Sequence, residues 1–363
     1  MTVQGLWPAL QLFAMQHVSG MGDRAKATLR RACQSRSARV STEYRDNNGL
    51  SFMNRTLVIG GCGFIGSHIV DALVARGHNV RVLDMKPEAF RPPLPGVEYV
   101  KGSFSSEDVL KVALRDVDSV IHSASTTVPA TSNLNPCADI EGNLIATVRL
   151  LHAMRARNIH KLVFLSSGGT VYGVPQCEEV PESHPLQPIS SYGIVKVAIE
   201  NYLHMERKLH GLDFVALRAS NPYGPRQGHA GLQGIIGTYL WKIARGEQIE
   251  VWGDGSVIRD FIDVRDLAAL SAIALESPIN GCFNAGSGEG ASVKRIVELT
   301  AQITGRDLSP LYRPGRGFDV PRIILDIARI RKAVGWNPTI PLEQGMRDSW
   351  DWICQQQQVS AVA

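Results

Sequence analysis

The sequence lacks a long apolar run, a paired cysteine motif and an excess of charge over most of its length. No apolar run approaches the roughly 20 residues that a membrane-spanning helix needs, so we expect a soluble protein without a membrane partner. The six cysteines are scattered along 363 residues, with neither a CxxC pair nor the spacing of metal ligands. This usage argues against a disulfide scaffold or a metal site and favours a reducing, cytoplasmic location.

The net charge of +4 comes from the first 52 residues. That segment holds seven of the 38 Lys and Arg residues and three of the 34 Asp and Glu residues, so the remaining 311 residues are neutral overall. A neutral body offers no basic footprint for a nucleic acid. Residues 1–52 also lack the order of a secretory signal, in which positive charge precedes an apolar core. We expect them to be an extension that is disordered or loosely helical and that carries no chemistry.

The stretch 55–84 has the pattern of strand, glycine-rich turn, helix and second strand. Its first apolar run, 57–59, is typical of a strand buried on both faces of a parallel sheet. Three glycines follow at Gly60, Gly63 and Gly66. They permit a tight turn and let backbone N–H groups at the start of the helix approach a pyrophosphate.

The second strand of this unit ends on an acid, Asp84, which lies 18 positions after Gly66. A carboxylate there can accept a hydrogen bond from the 2′-hydroxyl of an adenosine ribose and would repel a 2′-phosphate. The unit therefore predicts a dinucleotide site that prefers NAD to NADP. The alternative, glycines that serve only a structural turn, is disfavoured by the strand–helix–strand setting.

Beyond this unit the pattern keeps alternating between strand and helix. The predicted strands are 97–100, 117–122 and 162–166, and the predicted helices are 106–114 and 139–157. Such alternation is typical of a parallel sheet with right-handed crossovers and helices on both faces. We therefore predict an α/β fold with a Rossmann-type, doubly wound parallel sheet.

On this interpretation residues 53–220 form the NAD-binding Rossmann domain, to which later segments return. Residues 221–354 form mainly a smaller C-terminal α/β lobe for the substrate. Residues 355–363 are polar and of low complexity, and we expect them to be a flexible tail.

Tyr192 and Lys196 lie four positions apart and would share one face of a helix. A tyrosine hydroxyl, with an ordinary pKa of about 10, is a poor base at neutral pH. A lysine ammonium one turn away and a cationic nicotinamide ring would both favour the phenolate and lower that pKa. The pair therefore predicts an acid/base site. The YxxxK pattern alone occurs by chance in many helices. The prediction therefore depends on its position downstream of the glycine turn.

The last 311 residues, from Met53, resemble the extended short-chain dehydrogenase/reductases of the NAD-dependent epimerase/dehydratase family, most closely the UDP-glucose 4-epimerase group. The motifs that carry this resemblance are GGCGFIG (60–66), VIHSAS (120–125), SSGGTVYG (166–173), SYGIVK (191–196), LRASNPYGPR (217–226), GDGSVIRDFIDVRDLA (253–268), FNAGSGEG (283–290) and VGWNP (334–338).

The resemblance implies roles for individual residues. Tyr192 is expected to be the acid/base, with Lys196 as its electrostatic partner and a ligand of the cofactor ribose. The residues expected to hold NAD are Gly60, Gly63, Phe64, Ile65, Gly66 and Asp84, with Ser123, Ala124 and Asn143 on the nicotinamide side. Those expected to bind the sugar-nucleotide are Asn221 and two arginines whose donor forks suit a diphosphate, Arg259 and Arg313. A surface ion pair is the alternative for each arginine.

The chain departs from the family pattern at two positions. Gly168 stands where the family usually has a Ser or Thr that donates to the reacting oxygen. A neighbouring hydroxyl, that of Ser167, is expected to take this role, and the alternative is that the role is unfilled. After the third strand, Ser103 replaces an Asp that contacts the adenine, and we expect Ser103 to substitute for it.

The resemblance implies a nucleotide-sugar epimerase that works through a transient 4-keto sugar on a UDP-linked substrate, and a homodimer. Dehydratases, decarboxylases and reductases of the same family are the alternatives. A dehydratase usually carries Asp-Glu just before V-Y-G, where this chain has Gly169 and Thr170. A catalytically silent NAD-binding protein is the alternative from another class, and the intact pair of Tyr192 and Lys196 argues against it.

Overall fold

A computed structural model of the protein describes residues 55–228, 234–315 and 320–362, and the expected extension, residues 1–52, lies outside these ranges. The strands are, in chain order, β1 (Arg55–Ile59), β2 (Asn79–Asp84), β3 (Glu98–Lys101), β4 (Ser119–His122), β5 (Lys161–Ser167), β6 (Asp213–Ala219), β7 (Asn221–Tyr223), β8 (Glu250–Trp252), β9 (Ile258–Asp263), β10 (Gly281–Ala285), β11 (Gly290–Ser292), β12 (Leu311–Arg313) and β13 (Arg322–Ile323). The helices are α1 (Phe64–Ala75), α2 (Glu107–Ala113), α3 (Pro129–Ser132), α4 (Pro136–Asp139), a π-helical segment (Ile140–Ile145), α5 (Ala146–Arg155), α6 (Ser191–His210), α7 (Ile235–Ala244), α8 (Val264–Glu276), α9 (Val293–Thr304), α10 (Ala328–Val334) and α11 (Leu342–Val362).

Seven of these strands form one parallel sheet in the order β10-β6-β5-β4-β1-β2-β3. The chain moves outward from β1 to β3 on one side and from β4 to β10 on the other. Sheets of this kind bind ligands where the order reverses, at the carboxyl ends of the strands. The prediction of a doubly wound, Rossmann-type α/β fold is therefore confirmed.

The two faces of the sheet are covered by separate apolar layers. Within β1, Val58 packs into one layer with residues of α1 and α8, whereas Leu57 and Ile59 pack into the other with residues of α2, α5 and α6. Successive strand residues point to opposite faces. Burial on both sides explains why these strands appear in the sequence as unbroken apolar runs.

The helix predicted at 139–157 is interrupted in the structure. It is divided into the last residue of α4, the π-helical segment and α5. Within the π-helical segment Gly142 lies against Thr126, and an added Cβ there would be 2.6 Å from the Thr126 hydroxyl oxygen. The Thr147 hydroxyl donates to the carbonyl oxygen of Asn143 at 2.6 Å. Wide turns of this kind frequently occur at functional sites.

A smaller lobe surrounds a third apolar cluster. Residues of α7, α9 and α11 pack there with side chains from β8 and β9. Strand β9 pairs with β7 and β13 in parallel and with β11 antiparallel, while β8 and β12 form a separate pair. The chain between these strands returns to the large sheet through α8 and β10, as the sequence predicts.

The last helix extends beyond the point where the sequence predicts a flexible tail. Helix α11 continues through residue 355 to Val362. The run of four glutamines at 355–358 is compatible with a helix because Gln is a good helix former. Among the described helices, none is both long and apolar enough to cross a membrane.

A buried ion pair connects α6 to β6. Arg218 donates to Glu200 from Nε and from Nη2, the latter at 2.7 Å, and their side chains are only 5% and 3% exposed. The remaining Arg218 nitrogen donates to the Tyr172 hydroxyl at 2.9 Å. Removing one member of such a pair leaves a charge uncompensated inside the protein.

We expect Arg218→Ala to lower the free energy of unfolding by about 3–5 kcal/mol, because Glu200 would remain buried without its cation. Arg76→Ala is the control, since Arg76 and Glu276 form an exposed pair at 2.6 Å that should contribute at most about 1 kcal/mol. Urea unfolding followed by circular dichroism measures both. Equal losses for the two variants would contradict this account of the core.

Candidate active site

A cavity of about 580 Å³ lies at the carboxyl ends of the central strands. Twelve of the sixteen residues predicted from the sequence for the site line it. One group comes from β1, the glycine turn and β2: Gly60, Gly63, Phe64, Ile65, Gly66 and Asp84. The other comes from the strand ends and the helix opposite: Ser103, Ser123, Ala124, Ser167, Tyr192 and Lys196.

The glycine turn seats α1 directly on the end of β1. Gly60 has φ of +82°, a left-handed conformation that favours glycine, and a Cβ on Gly66 would overlap the Gly60 carbonyl oxygen. Helix α1 begins after Gly63, which has no side chain to cap the first N–H groups, and its first turn holds no acid. This helix terminus therefore presents free donors and partial positive charge to the cavity, where a phosphate would bind.

Asp84 is fixed at the opposite edge of the glycine turn. Its Oδ2 accepts from the backbone N–H of Cys62 and its Oδ1 from that of Lys86, each at 3.0 Å. The carboxylate lines the cavity with further lone pairs available. It is therefore oriented to meet a ribose hydroxyl.

Lys196 lies on the face of α6 that carries Tyr192. Its Nζ donates to the carbonyl oxygen of Leu165, at the end of β5, over 2.8 Å. The same atom lies 4.5 Å from the ring centre of Phe164 and 5.4 Å from that of Tyr192. The predicted helical pairing of Tyr192 with Lys196 is thus present in the structure.

Burial controls the protonation of both side chains. It lowers the pKa of Lys196 to about 8, with Glu200 and Asp139 acting in the opposite direction. Burial, and then the charge of Asp139, raises the pKa of Tyr192 above its ordinary value. The sequence led us to expect a lowered Tyr192 pKa. Within the chain itself, desolvation and Asp139 dominate instead.

The glycine at 168 is explained by packing. A Cβ at Gly168 would lie 2.5 Å from Leu325 Cδ1 and 2.9 Å from the Arg218 carbonyl oxygen. This backbone therefore has no space for a serine or threonine at 168. The neighbouring Ser167, which is expected to supply the substitute hydroxyl, lines the cavity.

Asn143 is placed differently from the expectation and is not part of the cavity lining. Its Oδ1 accepts from the backbone N–H of Thr126, and its Nδ2 donates to Asp139 Oδ1, both at 2.8 Å. Thr126 and Thr127 line the cavity in its stead. Asn143 therefore contributes to the cavity indirectly, by holding Thr126 in the loop after β4.

The three residues expected to bind the sugar-nucleotide also lie outside the lining of this cavity. Asn221 donates to the carbonyl oxygen of Asp260 at 2.8 Å, and Arg259 donates to that of Val320 at 2.6 Å. Arg313 forms an ion pair with Glu250 at 2.8 Å, the alternative that the sequence left open for each arginine.

Some lining residues were not predicted from the sequence. Five of them carry hydroxyl groups that could donate to a ligand: Ser125, Thr126, Thr127, Ser166 and Ser220. The run of small and hydroxyl residues at 123–127 directly follows β4 and could have indicated the first three. Asp139 is buried behind that loop, and its neighbours in the sequence carry no signal of its position.

Comparison with known proteins agrees with this geometry. Residues 56–286 match the NAD dependent epimerase/dehydratase family. A putative UDP-glucose 4-epimerase of Methanocaldococcus jannaschii is 36% identical over 299 residues, which cover 82% of this chain and 97% of that protein. The UDP-glucose 4-epimerase of Thermotoga maritima, solved with UDP-glucose, is 32% identical, with a TM-score of 0.80 over 84% of this chain and 99% of that one. The Thermus thermophilus UDP-glucose 4-epimerase, solved with NAD, is 34% identical, with a TM-score of 0.78 over 83% and 99%.

We expect Gly66→Ala to weaken NAD binding by roughly tenfold or more, because its Cβ would force α1 away from the Gly60 carbonyl and misdirect the phosphate-binding N–H groups. Gly169→Ala is the matched control. Its Cβ would contact no atom of the described chain within 4 Å, and Gly169 lies outside the cavity lining. Calorimetric titration of the two folded variants with NAD measures the affinity of each. Unchanged affinity in Gly66→Ala would refute this view of the turn.

Proposed function

Because the chain belongs to the NAD-dependent epimerase/dehydratase family, we propose that it interconverts the C4 epimers of a nucleotide-sugar, UDP-glucose and UDP-galactose. One observation carries the proposal. A single cavity joins the glycine turn at the uncapped start of α1 to a half-buried tyrosine and a buried lysine on one helix face. The relatives that bear this name extend over most of the chain, and their own lengths are almost fully covered.

The described residues fit NAD. The uncapped start of α1 suits a pyrophosphate, Asp84 suits an unphosphorylated ribose, and small residues Ser123 and Ala124 leave space for a flat ring. Ser103 lies in the lining on the side of Asp84 and is assigned to the adenine end. When bound, NAD supplies a reversible hydride acceptor for C4 of the sugar.

The chain's own residues handle the proton. Tyr192 takes the proton of the 4-hydroxyl while O4 becomes a carbonyl oxygen, and it gives the same proton back on the other epimer. Lys196, when protonated, stabilises the Tyr192 phenolate. Ser167 donates a hydrogen bond to O4. The 4-keto sugar must turn within the cavity between the two steps so that C4 presents its opposite face.

The nucleotide end of the substrate is assigned to Asn221, Arg259 and Arg313. Asn221 begins β7, next to the lining residues Ser220 and Pro222. Arginine forks suit a diphosphate, and Arg313 would exchange its exposed partner Glu250 for the ligand.

A dehydratase is the rival within the family. Elimination of water across C5 and C6 requires an additional acid and base near the sugar. The positions before V-Y-G hold Gly169 and Thr170, neither of which carries a carboxylate. Epimerisation needs only the tyrosine, the lysine and the cofactor, and it is the reaction that these residues support.

Tyr192→Phe should reduce interconversion of UDP-glucose and UDP-galactose by about 10²–10⁴-fold, the usual contribution of a positioned acid/base, because a phenyl ring transfers no proton. NAD binding should remain within a few-fold of the parent. The rates are measured by chromatography of the two UDP-sugars, and GDP- and dTDP-sugars test the choice of nucleotide. A fully active Tyr192→Phe variant would rule out the assignment.

The homodimer is part of the same proposal and is supported by an apolar stripe on α6. The π-helical segment, which contacts α6, adds two further exposed apolar residues, Ile140 and Ile145. The exposed side chains of the stripe are spaced to share one helix face: Ile194, Tyr202, Met205 and Leu209. Exposed apolar side chains gathered in this way mark a protein–protein interface.

We also assign the protein to the cytoplasm, because the five cysteines of the described chain are free thiols.

Met205→Glu should convert a dimer, with twice the chain mass of 39.6 kDa, into a monomer, because it buries an unpaired charge in the interface. Val112→Glu introduces the same charge at another exposed apolar position, on α2, and should leave the dimer intact. Sedimentation velocity distinguishes the two masses. A monomeric parent, or a dimeric Met205→Glu variant, would contradict the assigned interface.

A further inference from the structure

We propose that Asp139 is a positioning residue for the reaction, whose carboxylate fastens the helix carrying Tyr192 to the loop that lines the cofactor side of the cavity. The inference rests on the proposed function of that cavity and adds a residue to it that does not touch the substrate. Asp139 is the last residue of α4 and is fully buried.

Three side chains from three elements converge on this carboxylate. The Thr127 hydroxyl, in the loop after β4, donates to Oδ1 at 2.6 Å. The Asn143 amide, in the π-helical segment, donates to the same oxygen at 2.8 Å. The Ser191 hydroxyl, at the start of α6, donates to Oδ2 at 2.7 Å. Hydrogen bonds to an ionised acceptor are stronger than those between neutral groups.

Each of the three donors lines the cavity, precedes a lining residue in the chain or is hydrogen-bonded to one. Ser191 directly precedes Tyr192, and its backbone N–H is held by Asn133 Oδ1 at 2.8 Å. Thr127 lines the cavity, and Asn143 holds the neighbouring residue Thr126 through its backbone N–H. The distance between the tyrosine and the cofactor wall is therefore set through one buried carboxylate.

The charge of Asp139 also reaches the catalytic pair. It raises the pKa values of both Tyr192 and Lys196. Two further ionisable groups face Lys196. Glu200, from α6 itself and paired with Arg218, raises the pKa of Lys196 more than Asp139 does. Burial and the ammonium of Lys196 lower the pKa of His122, from β4, to about 3, so that this imidazole is uncharged at neutral pH.

The two effects can be separated by two substitutions. Ser191→Ala removes the link to α6 and keeps the Asp139 charge. Asp139→Asn keeps the shape and most hydrogen bonds and removes the charge. We expect Ser191→Ala to lower kcat by about tenfold with little change in KM, because the misplaced tyrosine affects the chemical step more than binding. Its pH profile should keep the position of both limbs.

Asp139→Asn should lower kcat and move both limbs of the pH–rate profile to lower pH. With NAD bound, its cationic ring would favour the Tyr192 phenolate and lower the pKa of that hydroxyl. The acid limb then reports formation of the phenolate, and the alkaline limb reports loss of the Lys196 proton. Removing a negative charge makes both groups stronger acids, so both midpoints fall. Ultraviolet titration of the NAD-loaded protein, referenced to the same variant with Tyr192→Phe, records the phenolate without any turnover.

Asp266→Asn is the matched control. Asp266 is another buried carboxylate that accepts three hydrogen bonds, from Thr339 N, Thr339 Oγ1 and Ile340 N, and it lies outside the cavity lining. This variant should lose stability yet keep kcat and the positions of both limbs of the pH–rate profile.

The proposal is overturned if Asp139→Asn and Ser191→Ala behave in the same way. If Asp139→Asn does not fold, the kcat of Ser191→Ala decides: a loss of about tenfold supports the proposal and an unchanged kcat overturns it. A parent protein without epimerase activity would refute the proposed function, while the phenolate titration would still test Asp139.

Discussion

The hydrogen bond from the Lys196 ammonium to the Leu165 carbonyl determines where the rest of the site lies. A buried ammonium is unfavourable unless oxygen acceptors and aromatic faces compensate it, and here the strand end of β5 and the ring of Phe164 do so. This requirement holds α6 against the carboxyl edge of the sheet. Tyr192, one turn earlier on the helix, is thereby placed over the same edge.

The opposite wall of the cavity depends on a backbone contact and not on a charge. Gly66 lies so close to the Gly60 carbonyl that it tolerates no side chain, and this contact brings the start of α1 to the end of β1. A side chain on Gly60 would in turn meet the backbone of Ala124. The helix terminus then offers partial positive charge, and Asp84 offers negative charge one strand away. The cavity thus brings together, along one sheet edge, the proposed phosphate site, the proposed ribose acceptor and the proposed acid/base pair.

Features encoded in contiguous residues could be predicted from the sequence. The glycine turn with Asp84, the helical spacing of Tyr192 and Lys196 and the alternation of strands and helices all depend on local patterns. Features that arise from contacts between distant residues could not. Gly168 is a glycine because Leu325 and the Arg218 carbonyl occupy its side-chain space. Arg313 pairs with Glu250 of another strand, and Asn143 faces Asp139 and Thr126 in preference to the cavity. The raised Tyr192 pKa is likewise a result of burial, which a sequence pattern does not report.

The proposed reaction takes place in one cavity, where a proton is removed from O4 of the sugar and later returned. The hydrogen on C4 also leaves and returns, but it does not exchange with water. The most direct test of this reaction uses UDP-galactose carrying deuterium at C4, with mass spectrometry of the UDP-glucose that the protein forms. The account predicts that the product retains the deuterium at C4, since water is kept from that carbon throughout the turnover. UDP-glucose that has lost the label to solvent, or no UDP-glucose at all, would contradict it.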